Sequence, residues 1–137
     1  LLTALRDELN FDGCSLLLRE SDEERLVFSA SEPEDDVAAR LREIEFDRSN
    51  APSFLDRVMK GDSQLLLGDE AVELETPVRA WLTEVSAEEM FVVPLAGKDR
   101  GIGALAVDNR RGGQGFGTDA RMLIEGLAMQ AVIAIET

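Results

Sequence analysis

Between Met122 and Ile135 eleven of fourteen residues are apolar, and only Glu125, Gly126 and Gln130 interrupt them. Wound as a helix, this stretch presents two neighbouring stripes. Ile124, Leu127, Ala128, Ala131 and Ile135 make one; Met122, Met129, Val132 and Ile133 make the other. A helix lying on its own sheet needs a single stripe, so the second asks for a neighbour: the opening helix, a partner chain, or both. The opening helix is itself amphipathic, with Leu2, Leu5 and Leu9 at helical spacing. The final stretch does not span a membrane, because its longest nearly apolar run, Leu127 to Ile135, is broken by Gln130 and falls short of ~18–20 residues.

The segments between these helices alternate strand and helix patterns. Asp12-Gly13 makes a turn, Cys14 to Arg19 reads as a buried strand, and Arg25 to Ala30 returns beside it across the polar turn Ser21 to Glu24. Val37 to Arg42 is a short helix. Glu43 to Asp47 alternates Ile44 and Phe46 with acids, as an edge strand does. Phe54, Leu55, Val58 and Met59 give the apolar face of a helix stopped by Lys60-Gly61, and Gln64 to Leu67 is a short strand. Thr76 is placed as N-cap before Pro77, and Val78, Trp81, Leu82 and Val85 follow on one helical face. Ser86 to Glu89 reads as a link. Met90 to Ala96 and Ile102 to Val107 are strands joined by the hairpin loop Gly97 to Gly101, and Thr118 caps the final helix. This order gives an α+β domain with an antiparallel sheet.

Composition removes much chemistry. The chain has 137 residues, room for one domain, with no His and a single Cys. Ser-His-Asp and Cys-His catalysis, His-bound zinc or haem, and a phospho-accepting His are therefore excluded. One Cys forms no internal disulfide, in keeping with a cytoplasmic, reducing location. The net charge of −14 repels phosphate backbones, and no basic stripe offers a nucleic-acid surface. The charge is uneven: Glu20 to Asp47 holds eleven acids and three arginines, whereas Lys98 to Arg121 holds five bases and three acids. The acidic stretch reads as a solvated face, since Asp12-Gly13 and Asp35-Asp36 lack calcium-loop spacing. No metal is expected. Leu1 to Asn10 lacks the basic start and apolar run of a signal peptide. Without an initiator Met or a cap at either end, the chain reads as one domain, residues 1–137, of a longer multidomain protein.

Few motifs survive scrutiny. Gly112-Gly113-Gln114-Gly115-Phe116-Gly117 lacks the Gly-Lys-Ser/Thr of a phosphate loop and is read as a connection. Cys14, inside an apolar strand, is a small core residue rather than a nucleophile. Trp81, Phe46 and Phe54 are either core packing or the walls of one cavity. Gln64, Arg48 and Arg79 are polar groups that serve a ligand or face water. No catalytic residue is nominated.

Phe91-Val92-Val93-Pro94-Leu95, a glycine-containing turn, Gly101-Ile102-Gly103-Ala104-Leu105-Ala106-Val107-Asp108-Asn109, Phe116, and Leu127 to Glu136 together resemble a GAF domain. Asp12 to Leu16 resembles the family's first strand, and Val58 to Asp69 its middle helix and strand. The resemblance implies a central antiparallel sheet of about six strands. The N- and C-terminal helices would pack on one face and an irregular helical segment, roughly Ile44 to Val85, over the other, a GAF/PAS-like arrangement. It also implies a small-molecule sensor within a histidine kinase, cyclic-di-nucleotide enzyme or transcription activator. Phe46, Phe54, Trp81 and Val93 would line its ligand pocket. The same resemblance implies a homodimer through the terminal helices, at Leu2, Leu5, Leu9, Met122, Met129, Val132 and Ile133, and an output domain in the same chain. The alternative is a ligand-free dimerisation or spacer module. No bilin is expected, as the Cys-His pair of bilin-binding members is missing, nor haem. Asp69-Glu70 alone does not reproduce the cyclic-nucleotide signature, and one Cys does not suit reduction of methionine sulfoxide.

Overall fold

The computed structural model describes residues 2, 11–20, 24–110 and 115–136. Two hairpins build the centre of the sheet: β1 (Gly13–Arg19) with β2 (Leu26–Glu32), and β5 (Ala87–Ala96) with β6 (Gly101–Arg110). β1 pairs antiparallel with β6, with Cys14 opposite Val107 and Leu16 opposite Leu105, which joins the hairpins. The strands β3 (Glu45–Phe46) and β4 (Gln64–Leu67) close the edges, giving the order β3-β2-β1-β6-β5-β4. All five neighbouring pairs are antiparallel. At the central seam a Cβ on Gly103 would lie 2.0 Å from the Leu17 carbonyl oxygen, so only glycine lets the strands approach this closely.

The sheet is accompanied by α1 (Asp36–Leu41), α2 (Pro52–Lys60), α3 (Thr76–Val85) and α4 (Thr118–Glu136). A 3₁₀ turn, Gly68–Glu73, links β4 to α3. Asp35 caps α1 by accepting the Ala38 amide. Gly61 ends α2 in the left-handed conformation, φ 85°. There its amide reaches Val58 O and the Asp62 amide reaches Arg57 O, the glycine stop that Lys60-Gly61 predicts.

Both faces of the sheet are covered. On one, α1, α2 and α3 bury Leu17, Phe28, Met90, Val92, Ala104 and Ala106. On the other, Cys14, Phe91, Val93, Leu95, Leu105 and Val107 meet Ile124 and Ala128 of α4, together with Phe116 and helical Leu2. Successive strand residues point to opposite faces, so Val92 and Val93 enter different cores.

Two local expectations differ. Glu75, not Thr76, occupies the N-cap position of α3, and its side chain is engaged elsewhere. The segment read as a link after Ser86 is the start of β5, because Ala87 and Glu89 pair with Arg110 and Asn109. The 3₁₀ turn has no apolar period and leaves no pattern to read. The expected turn at Ser21 to Glu24 and the glycine loop fall largely outside the described residues.

Candidate functional site

Four aromatic rings meet beneath the helices of the first face. Phe28 comes from β2, Phe46 from the edge strand β3, Phe54 from the first turn of α2 and Trp81 from the middle of α3. Phe46 lies 5.0 Å from Phe54 and 5.6 Å from Trp81, and Trp81 stands edge-on to Phe28 at 5.2 Å and to Phe54 at 6.1 Å. These separations are those of well-packed aromatic pairs, each worth about 0.5–1.5 kcal/mol beyond area burial. All four rings are buried, Trp81 and Phe46 completely. The structure thus brings together three of the four residues nominated for a pocket, packed on one another. Val93 lies on the opposite face of the sheet. One polar atom in the cluster is unsatisfied: the Trp81 indole Nε1 is buried without a hydrogen-bond partner among the described residues. Such a group costs about 1–3 kcal/mol.

Beside the rings, α2, β4, the 3₁₀ turn and α3 enclose a groove of about 210 Å³. Phe54, Leu66, Leu74 and Val78 supply its apolar walls. Gln64 lies in its lining, buried, its Nε2 reaching the Phe54 carbonyl oxygen at 3.5 Å, the long limit of a hydrogen bond. Ser53, Arg57, Glu73 and Glu75 complete the polar side. The backbone of α2 explains where Glu75 sits. Pro52 is in the first turn and brings no N–H, while the N-cap, Ala51, has no side chain to offer. The Glu75 carboxylate fills the role from across the groove, accepting the Ser53 amide at 3.0 Å and the Phe54 amide at 2.9 Å. Arg57 and Glu73 are exposed and have no ion-pair partner among the described residues.

The other polar candidates are placed elsewhere. Arg48 is engaged by the carboxylates of Glu24 and Asp56, tying the connection before α2 to the first hairpin and to α2 itself. Hydrogen bonding to Arg48 lowers the pKa of both acids and raises that of the arginine. Arg79 is outside the groove lining. Cys14 is buried on the α4 face, where its Sγ donates to the Leu2 carbonyl oxygen at 3.3 Å. Asp108, buried in β6, has its carboxyl pKa raised by desolvation, opposed by the Arg110 guanidinium at 2.8 Å.

On the α4 face an apolar cleft of about 440 Å³ runs between α4 and β5. It joins Val93 and Pro94 to Met129, Val132 and Ile133, so Val93 keeps company with the nominated interface residues rather than with the rings. Met122, Met129 and Ile133 are 65%, 71% and 67% exposed, Val132 is half-buried, and Leu2 is buried against the sheet. Leu5 and Leu9 lie outside the described residues. Among the described residues no three acidic or sulfur side chains are grouped to hold a metal ion, and no helix is long and apolar enough to cross a membrane.

A protein-family profile described as GAF domain matches residues 1–137. No curated protein matches the chain. Among solved structures, a GAF domain/HD domain protein from Geobacter sulfurreducens superposes with a TM-score of 0.79 at 17% identity, covering 98% of this chain and 87% of the other. A domain of a putative two-component sensor histidine kinase from Sinorhizobium meliloti 1021 gives 0.75 at 18% identity, covering 98% and 86%. A far-red cyanobacteriochrome photoreceptor gives 0.76 at 14% identity, covering 98% and 81%. At these identities the likeness is one of fold.

Proposed function

The chain belongs to the GAF domain family, and on that premise we propose that it is a small-molecule-sensing regulatory domain of a signal-transduction protein, without catalytic residues of its own. The observation that carries the reading is the division of labour between the two sheet faces. A groove with apolar walls and a polar rim lies on one; a helix that exposes Met122, Met129 and Ile133 lies on the other. β5 is common to both, because Val92 packs under the groove-side helices and Val93 under α4. A ligand that binds better to one setting of the groove shifts the population of α4 arrangements by its differential affinity. The stripe of Met122, Met129 and Ile133 pairs with a second copy, and α4 passes the change to an output domain such as a histidine kinase, a cyclic-di-nucleotide enzyme or a transcription activator.

A second reading is favoured by the ring cluster. Phe28, Phe46, Phe54 and Trp81 fill the space beneath the helices with their own side chains, as a ligand-free dimerisation or spacer module would require. Non-denaturing mass spectrometry of the purified chain, followed by a thermal-shift screen of a metabolite library, separates the two. Sensing predicts a dimer whose melting temperature rises with a bound compound. A dimer that no compound stabilises favours the spacer, and a monomer at micromolar concentration refutes the relay through α4.

A further inference from the structure

We infer that the groove between α2 and α3 takes a zwitterion of amino-acid size, a free α-amino acid with a short aliphatic side chain, an assignment that rests on the sensing reading. Size sets the first limit. A space of about 210 Å³ lies below the roughly 300–1,000 Å³ of pockets that hold drug-sized ligands, which favours an occupant of amino-acid size.

Charge sets the second limit. Arg57 and Glu73 line the same groove, yet neither is ion-paired among the described residues. The two charges are therefore more than 4.0 Å apart, the limiting distance of an ion pair, which leaves each to meet an opposite charge on a ligand seated between them. The second acid of the rim is already occupied, since both Glu75 carboxylate oxygens accept backbone amides of α2. That contact leaves no free helix terminus for an anion and makes Arg57 the groove's cation. A dianion such as a phosphate monoester would face one arginine and two carboxylates, whereas a ligand carboxylate with its own ammonium meets Arg57 and Glu73 together. Between the charged ends, Leu66, Leu74 and Val78 accept an aliphatic side chain, and the Gln64 amide, held only by its 3.5 Å contact to Phe54, offers a neutral donor and acceptor.

Isothermal titration of the purified 137-residue chain with L-leucine, L-isoleucine, L-valine and L-methionine tests this. Leucinamide and 4-methylpentanoate serve as probes that each keep one of leucine's two charges. At least one amino acid is expected to bind, with the corresponding single-charge analogue about tenfold weaker or worse, the loss expected for one charge-assisted contact. R57M and E73Q, both at exposed positions, are expected to weaken the amino acid by a similar factor while leaving the thermal melt of the free protein unchanged. Analogues that bind as well as the amino acid, or variants that bind it as the parent does, overturn the assignment. If no amino acid binds but a metabolite of another charge type does, the zwitterion assignment fails and sensing stands. If neither panel yields a ligand, both fail.

Discussion

Replacing Glu75 by Ala removes the carboxylate that caps α2 from a distance of twenty-two residues in sequence. The structure sets the magnitude. Two amides, those of Ser53 and Phe54, lose their acceptor at 3.0 and 2.9 Å, and Ala51 offers no side chain in its place. Loss of an N-cap costs about 1 kcal/mol, and loss of a negative charge at a helix N-terminus a further ~0.3–1 kcal/mol. The sum is about 1–2 kcal/mol, or roughly 4–8 °C in melting temperature for a domain of this length. E75Q, which keeps one carbonyl oxygen and loses the charge, is expected to fall about halfway. The assay is urea unfolding followed by the fluorescence of Trp81, the only tryptophan, which is fully buried in the ring cluster beside Phe54 and so reports the site directly. An E75A midpoint equal to that of the parent would show that water caps α2 equally well and refute the reasoning. So would equal losses for E75A and E75Q, since the charge and the second acceptor would then count for nothing.

Three further outcomes are expected. W81F removes an unsatisfied indole N–H along with some buried area and should change stability by less than about 1 kcal/mol, whereas W81A should cost about 3–5 kcal/mol, both read from circular-dichroism melts. Asp108 has a folded pKa raised by burial, so it favours folding when protonated, and that contribution is lost as pH rises from the unfolded value near ~3.9 through the folded one. The stability of D108N relative to the parent should therefore grow between pH 3.5 and 7 in urea titrations, and a gap that is constant or shrinks refutes the burial argument. On the proposed pairing of α4 with a second copy, the double variant M129E/I133E, which places charges on exposed positions of that helix, should weaken the dimer at least tenfold by light scattering, with the far-UV circular-dichroism spectrum of the folded chain unchanged.

Much of the architecture was legible because it rests on local patterns. Strand residues such as Cys14 to Leu18 and Ile102 to Val107, the glycine stop at Gly61 and the apolar faces of α2 and α3 each carry their signal within a few neighbours. The ring cluster was partly legible, since Phe46, Phe54 and Trp81 are the large aromatics of the helical middle; Phe28 joins them through the register of β2 against β3, which places Leu26 opposite Phe46. The groove was not legible. Gln64 is one of three polar groups that the sequence offers either to a ligand or to water, but Glu75 and Glu73 look like any other acids in a chain with 28 of them.

The sequence by itself determined the order of strands and helices, the absence of histidine chemistry and the excess of apolar surface on the last helix. Those properties belong to residue types and to periods of two and 3.6, which need no partner to be read. Only the tertiary structure decided which way each side chain points. In Leu16-Leu17 and Val92-Val93 both neighbours are apolar because helices cover both faces of the sheet, so alternation carries no information until the covering helices are in place. The same holds for Glu75, whose capping of α2 depends on two helices meeting across a groove. Its carboxylate draws its role from amides twenty-one and twenty-two residues earlier in the chain, a proximity that only the packed fold creates.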